Sequence, residues 1–169
     1  MIALRLLPFL LLAGCGTAGT GPAAEASPTL PKLTGRVVDN ADLLPPDKEA
    51  LLERALLKTE QATRSQFVVV TLPSLNGRKI EEVGLELGRT WKIGRFDIDD
   101  GVMLIVAPTE RQVRIEVGYG LEGVLRDEEA KAIITDTIIP RIRSGNMPGA
   151  ILAGSAAIIR EINVPGATP

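Results

Sequence analysis

The chain has 169 residues, of which 45% are hydrophobic and 24% charged, and its formal net charge is −2. This balance is typical of one compact globular domain. The weak net charge and the 3% of aromatic residues argue against nucleic-acid binding, which needs a basic surface or stacking side chains. The chain has no histidine and one cysteine, Cys15, which excludes histidine triads, intramolecular disulfides and thiolate metal clusters. Any bound metal would therefore have oxygen ligands, as calcium and magnesium do.

Residues 1–15 are predicted to be a lipoprotein signal peptide that ends at Cys15. The apolar run Leu6–Leu12 is too short to cross a bilayer as a helix. The run leads into Leu-Ala-Gly-Cys at 12–15, which resembles a bacterial lipobox, and acylation of Cys15 with palmitate and related chains would anchor the chain to a membrane. An ordinary secretory signal with a chance cysteine is the alternative. Gly16 follows the cysteine, where an aspartate would resemble an inner-membrane retention signal, so an extracytoplasmic, outer-membrane or periplasmic position is favoured.

The rest of the chain divides into a tether, a domain and a tail. Residues 16–32 are rich in small residues and proline and predict a flexible tether. Residues 33–162 carry the periodic patterns of a folded domain, and residues 163–169 form a short tail.

The domain opens with a short strand or extended arm, Arg36–Val38, and prolines at 45 and 46 then begin a helix. Next come a buried strand, Gln66–Leu72, a helix with Ile80 and Trp91 on its apolar stripe, and a second buried strand, Val102–Ala107. Strand, helix and strand at this spacing predict a βαβ unit with parallel strands and a right-handed crossover.

A hairpin is expected to follow. Val113, Ile115 and Val117 alternate with polar residues, which predicts an antiparallel strand that places Val117 opposite Val102. Asp127 is expected to cap the next helix, Pro140 to end or kink it, and residues 148–162 to form the last helix. The predicted fold class is α/β, as a three-layer α/β/α sandwich around a small mixed sheet.

The hairpin should bring Asp99 and Asp100 beside the glycine-rich turn that contains Gly118, Gly120 and Gly123. The turn matches the dinucleotide pattern G-x-G-x-x-G, but no further strand follows it, as a nucleotide-binding unit requires. We therefore expect these glycines to provide positive φ angles in a tight turn.

Carboxylates form the second pattern. Asp99, Asp100 and Asp127 should lie at the glycine-rich end of the sheet, and Asp39 would join them if the N-terminal arm folds over that end. Clustered carboxylates repel one another, and a divalent cation relieves that repulsion. The alternative is that each aspartate is a helix cap or a turn former.

Several segments together resemble the TPM-domain family, which has thylakoid-lumen, photosystem-repair and nematode channel-associated members. The segments are Val38–Leu44, Asp100–Val106, Gly118–Gly123 with Asp127, and Pro140 with the Gly145 region. The resemblance implies an α/β/α domain exposed to a lumen, the periplasm or the cell exterior. It also implies a metal on Asp39 and Asp100, with Asp127 and Asp99 nearby, because some members bind calcium-like metals. Other members resemble weak acid phosphatases or act as accessory factors for membrane complexes.

Two functions follow as hypotheses. In the first, the protein is a lipid-anchored module that binds calcium or magnesium and assists envelope membrane proteins. In the second, it is a metal-assisted acid phosphatase in which backbone N–H groups of Gly120–Gly123 face phosphate and Arg95, Arg111 or Arg126 holds it. The first is favoured, because the sequence offers no histidine, no cysteine nucleophile and no serine in an activating context.

Overall fold

A computed structural model describes residues 30–163, so the predicted signal peptide with Cys15, most of the predicted tether and nearly all of the predicted tail lie outside the described residues. The elements in chain order are β1 (Val37–Asp39), α1 (Pro46–Thr63), β2 (Gln66–Thr71), α2 (Ile80–Trp91), β3 (Gly101–Ala107), β4 (Gln112–Val117), a 3₁₀ helix (Tyr119–Leu121), α3 (Asp127–Ala132), a π-helical segment (Ile133–Ile138), α4 (Ile139–Arg143) and α5 (Met147–Ile162). Among these helices, none has both the length and the apolar composition needed to span a bilayer.

The four strands form one mixed sheet in the order β1-β2-β3-β4. Strands β1, β2 and β3 run parallel, and β4 returns antiparallel to β3 with Val117 opposite Val102. The predicted parallel pairing, the hairpin and its register are therefore confirmed. β4 is an edge strand, because β3 is its only neighbour among the described strands.

The sheet separates two hydrophobic cores. Side chains alternate along each strand, so Val69 and Leu104 face one core while Val70 and Ile105 face the other. The first core is covered by α1, α5 and the helical segments that follow β4, and the second is covered by α2. The predicted three-layer α/β/α sandwich is thus confirmed. Leu30 packs against the second core, and the Trp91 indole donates a hydrogen bond to the Pro31 carbonyl at 3.1 Å, so these residues of the predicted tether contact the domain.

The two crossover connections have opposite hands. The chain steps across the sheet in one direction from β1 to β2 to β3, yet α1 covers one face and α2 covers the other. Two connections with the same lateral step and opposite faces cannot share a hand, so only one follows the usual right-handed rule.

The chain after the glycine-rich turn is helical from Asp127 to Arg143, with the π-helical segment in the middle. Pro140 lies two residues beyond that segment and does not end the helix, because the wider π turn accommodates a residue without an amide proton. The prediction that Asp127 caps this helix is wrong. Arg126 occupies the cap position and Asp127 is the first helical residue, while the Glu129 carboxylate accepts a hydrogen bond from the Arg126 amide at 3.1 Å.

Candidate functional site

The loop Ile98–Asp100 and the turn Gly118–Gly120 pack backbone against backbone, and we call this junction the glycine corner. The Gly118 amide donates to the Gly101 carbonyl at 2.8 Å, and the Gly120 amide donates to the Asp99 carbonyl at 3.0 Å. The predicted proximity of Asp99 and Asp100 to the glycine-rich turn is therefore confirmed.

Glycine is required at this corner by close approach. A Cβ atom would lie 2.0 Å from the Asp99 carbonyl oxygen if placed on Gly118, and 2.2 Å from the Ile98 carbonyl oxygen if placed on Gly120. The prediction that these glycines provide positive φ angles is wrong: Gly118 has φ −72°, and the positive φ at the corner belongs to Asp99, at 56°. Gly123 has open space around it and a φ outside the left-handed region. Neither close approach nor a positive φ angle therefore requires glycine at that position.

Asp100 is fully buried and is bound by Arg95. Its Oδ1 accepts a hydrogen bond from the Arg95 amide, and its Oδ2 accepts one from Arg95 Nε, both at 2.8 Å. Arg95 Nη2 also lies 2.6 Å from Oδ2, as an ion-pair contact without hydrogen-bond geometry. These contacts use the carboxylate to fix the loop that leads into β3.

A cavity of about 840 Å³ opens at the glycine corner and follows the free edge of β4. The α2 side contributes Gly84, Leu85, Gly88, Arg89 and Lys92, and the opposite side contributes Tyr119, Glu122, Leu125, Asp127 and Ala130. Asp99 lines the cavity at the corner. Asp99, Glu122 and Asp127 are exposed, and none forms an ion pair within the described residues.

Asp39 lies at the other end of the sheet. It is level with Thr71 and Val106 at the carboxyl ends of the parallel strands, whereas Asp100 immediately precedes β3. At about 3.3 Å per residue, the two carboxylates are roughly 20 Å apart along the strands. The predicted convergence of Asp39 with Asp100 is therefore wrong, because β1 runs parallel to its neighbours and carries Asp39 away from the corner.

The Asp39 carboxylate instead organises the loop that follows β1. It accepts hydrogen bonds from the Leu43 amide at 3.1 Å, from the Leu44 amide at 2.7 Å and from the Thr71 hydroxyl. Thr71 in turn accepts a hydrogen bond from the Ala41 amide at 2.9 Å. This is the turn-forming role that short acidic side chains commonly have.

The remaining acidic residues, Asp99, Glu122 and Asp127, line the cavity without enclosing a metal site. In the described part of the chain, no three acidic, histidine or cysteine side chains stand close enough to enclose an ion. Glu122 was not predicted as a site residue, although its position between two glycines of the turn was a usable signal.

The turn itself offers little to an anion. The Gly118 amide donates to the Gly101 carbonyl, and the amides of Gly120, Leu121 and Glu122 donate to nearby backbone carbonyls, which counts against the phosphate cradle expected from the Gly120–Gly123 amides. Arg95 lines the cavity but is paired with Asp100. Arg126 pairs with Glu129, whose hydrogen bond and negative charge raise the pKa of the guanidinium, and Arg111 lies in the hairpin at the far end of the sheet.

Two exposed aromatic side chains stand beside the cavity and were not predicted as functional. Phe96 is fully exposed and Tyr119 is 80% exposed, and both line the cavity opening. Exposed aromatic residues that border a groove are typical contacts for a binding partner. The signal in the sequence was an aromatic residue flanked by charged or glycine residues, in Arg-Phe-Asp and Gly-Tyr-Gly.

Comparisons with known proteins identify relatives of the domain. A model of the family described as the TPM domain matches residues 37–161, whereas no curated protein matches the chain significantly. The solution structure of the N-terminal domain of a protein from P. gingivalis is 35% identical, with a TM-score of 0.72, and the match covers 77% of this chain and 83% of that one.

Two more distant structures share the fold. The N-terminal domain of a protein from Corynebacterium glutamicum is 16% identical with a TM-score of 0.60, and the match covers 80% of this chain and 84% of that one. The BA42 protein of the psychrophilic bacterium Bizionia argentinensis is 17% identical with a TM-score of 0.62, and the match covers 75% of this chain and 84% of that one.

Proposed function

The chain belongs to the TPM-domain family, and we propose that it is a lipid-anchored, extracytoplasmic binding module that takes a divalent cation beside the glycine corner. In this role it is an accessory factor for envelope or membrane proteins. The observation that supports the proposal is the placement of Asp99, Glu122 and Asp127 on one cavity, with exposed Phe96 and Tyr119 at its opening.

The cation would act on the two segments that form the corner. Asp99 belongs to the loop before β3, whereas Glu122 and Asp127 belong to the turn and helix after β4. A divalent ion between them would neutralise like charges and hold the two segments together. Because these side chains do not enclose an ion, a bound cation would keep several of its waters, and we expect a dissociation constant near ~1 mM, as in extracellular calcium modules.

Thermal unfolding tests the cation site. In the chain without residues 1–15, calcium or magnesium at about ten times its dissociation constant should stabilise the fold by ~1.4 kcal/mol. Asp127→Asn should remove most of this gain, because it removes a charge from the cavity wall. The matched control is Asp136→Asn, an exposed aspartate on the following helical segment that does not line the cavity. Equal stabilisation of both variants, or none of the parent, would refute the cation site.

A metal-assisted phosphatase is the second candidate, supported by the basic residues Arg89 and Lys92 across the cavity from the acidic ones. Against it, the cavity lining contains no serine, threonine, cysteine or histidine within the described residues. A nucleophile would then have to be a carboxylate, the Tyr119 hydroxyl or a water. Hydrolysis of p-nitrophenyl phosphate at acid pH, dependent on added metal and lost in Asp127→Asn, would favour the enzyme over the module.

The lipid anchor is tested separately. Cys15 lies outside the described residues, and its acylation is proposed from the Leu-Ala-Gly-Cys segment. Cys15→Ser should release the protein from membranes into the soluble fraction and abolish labelling by radioactive palmitate. Retention of the variant in the membrane fraction would contradict the anchor without affecting the cation test.

A further inference from the structure

The free edge of β4 presents unpaired backbone groups to the cavity. The bond from the Gly118 amide to the Gly101 carbonyl sets the alternation of the ladder, so Glu116 and Arg114 point their backbone groups toward β3. Val113, Ile115 and Val117 then point theirs away from the sheet. No backbone hydrogen bond outside the sheet engages these three residues in the described part of the chain. Ile115 and Val117 line the cavity.

Both sides of this edge are walled. On one face, Leu85 and Arg89 lie one turn apart on α2 and Lys92 follows the end of that helix. On the other face, the chain from Tyr119 to Ala130 borders the same space. Natural proteins commonly protect edge strands with charge or with a covering element. Here the two walls flank the edge of β4, and the cavity lies between them. The result is a groove in which another strand could pair with the free edge of β4.

We infer that this groove binds an extended peptide segment of a partner protein, which adds to β4 as a fifth strand. Main-chain hydrogen bonds to Val113, Ile115 and Val117 would supply affinity, and the walls would select side chains, as in other cases of strand addition. The inference rests on the proposed binding-module function and names the partner's chemistry, but it does not require the cation.

The charges of the two walls specify the peptide. Arg89 and Lys92 on the α2 wall are exposed and form no ion pair among the described residues, and the opposite wall carries Glu122 and Asp127. Side chains of an added strand alternate between the two faces. The complementary segment therefore alternates acidic residues, which face α2, with basic residues, which face the other wall.

A second copy of this chain fits the groove less well than a peptide does. The β4 strand of another copy would bring its own α2 and Tyr119–Ala130 walls into the groove, so the groove would have to accommodate more than a strand. A single extended segment has no such walls. β4 has six residues, so the ladder would involve a segment of similar length.

The test uses two synthetic peptides with blocked ends and the same composition. The first has eight residues of strictly alternating lysine and glutamate, so that each face of the strand carries one charge sign. The second repeats Lys-Lys-Glu-Glu, which places both signs on each face. Binding to the full chain in detergent is measured by fluorescence anisotropy at low salt, once with EDTA and once with calcium. We expect the alternating peptide to bind about tenfold more tightly, since cross-strand charge pairs each contribute modestly.

Two variants locate the site. Arg89→Glu with Lys92→Glu should weaken the alternating peptide about tenfold. Its matched control is Arg54→Glu with Lys58→Glu, which makes the same charge change on exposed positions of α1 away from the cavity, and it should leave binding nearly unchanged. Val113→Pro removes one outward amide without breaking the β3 ladder, and it should also weaken binding.

Hydrogen exchange gives the decisive readout. Bound peptide should slow exchange of the Val113, Ile115 and Val117 amides and leave the amides of Arg114 and Glu116 unchanged, a pattern that surface charge alone would not produce. Equal affinity for the two peptides, uniform or absent protection, or a dimer that excludes the peptide would overturn the inference. Peptide binding in EDTA, without a thermal shift from calcium, would refute only the cation site.

Discussion

At the end of the sheet where β1 and β2 finish, the Asp39 carboxylate accepts hydrogen bonds from two backbone amides and one hydroxyl of the same domain. At the opposite end, Asp99 and Asp127 line an open cavity, and Asp100 is paired with Arg95. Sequence alone groups these four aspartates together, whereas their partners divide them into two kinds. An aspartate whose oxygens are already satisfied stabilises the fold, and one that lines a cavity without an ion pair is available to a ligand.

Asp100→Ala should have the largest effect, because Asp100 is a structural residue at the end of the sheet that carries the cavity. The change leaves the Arg95 guanidinium without its partner. The Arg95 side chain is 40% exposed and can rehydrate, so we expect a loss of about 3 kcal/mol, at the low end for a broken buried pair. Urea unfolding measures it, with the exposed neighbour Asp97→Ala as the control. A loss below ~1 kcal/mol would show that Asp100 is not structural.

Gly120→Ala tests whether the corner depends on close backbone contact. A Cβ atom there would lie 2.2 Å from the Ile98 carbonyl oxygen, whereas one on Gly123 would meet nothing within 4 Å. We expect Gly120→Ala to cost about 2–3 kcal/mol, as overpacking does. Gly123→Ala should stay within ~0.5 kcal/mol of the parent in the same urea titration. If both variants unfold alike, the glycines act through backbone freedom and the close-approach explanation fails.

Asp39→Ala tests the other end of the sheet. Loss of three hydrogen bonds from a partly buried carboxylate should cost about 2 kcal/mol, at roughly 0.5–1.5 kcal/mol per bond less any rehydration. The control is the exposed neighbour Asn40→Ala. The calcium-induced thermal shift should be the same in Asp39→Ala as in the parent, because Asp39 lies away from the cavity. Loss of the shift in this variant would restore Asp39 as a ligand and overturn the division between the two ends.

Most of the fold was predictable from local patterns. The run Val102–Ala107, the alternation at Val113, Ile115 and Val117, and the polar break between them predict the hairpin and its register, both of which are confirmed. These signals are local, because a hairpin joins neighbouring segments. The helix after Asp127 was harder to place, since the π-helical segment that accommodates Pro140 has no clear composition of its own.

The candidate site was only partly predictable, because whether Asp39 belongs to it depends on where the short β1 strand pairs. Three residues are too few to show whether they join the sheet or remain an arm. The signal was nevertheless present: β1, α1 and β2 have the same strand-helix-strand order as β2, α2 and β3. Parallel pairing of β1 would have placed Asp39 at the carboxyl ends of the strands, away from Asp100. Arg95 as the partner of Asp100 could not be inferred, since it depends on how the loop between them folds.

The smallest predicted effect concerns Glu110, which lies in the hairpin at the Asp39 end. Its carboxylate accepts hydrogen bonds from the Ser74 hydroxyl at 2.6 Å and the Leu75 amide at 2.8 Å, and these bonds lower the pKa of Glu110 from its ordinary 4.5. A carboxyl with a lowered pKa in the folded state stabilises the fold above pH 4.5, and this contribution is lost as pH falls through the folded-state pKa. Stability below pH 4.5 should therefore fall less steeply in Glu110→Gln than in the parent.

Chemical unfolding at a series of pH values from 6 to 3 measures that slope. The matched control is Glu129→Gln at the cavity end, where the hydrogen bond and charge of Arg126 lower the pKa of Glu129. Added salt should reduce the Glu129 contribution, because it screens an exposed ion pair, and should leave that of Glu110 nearly unchanged, because neutral donors hold it. Equal salt sensitivity of the two contributions would mean that the Glu110 contribution arises from charge rather than from the Ser74 and Leu75 hydrogen bonds. In that case Asp39 would be the one carboxylate, of the two compared at that end of the sheet, that stabilises the fold through hydrogen bonds to neutral donors.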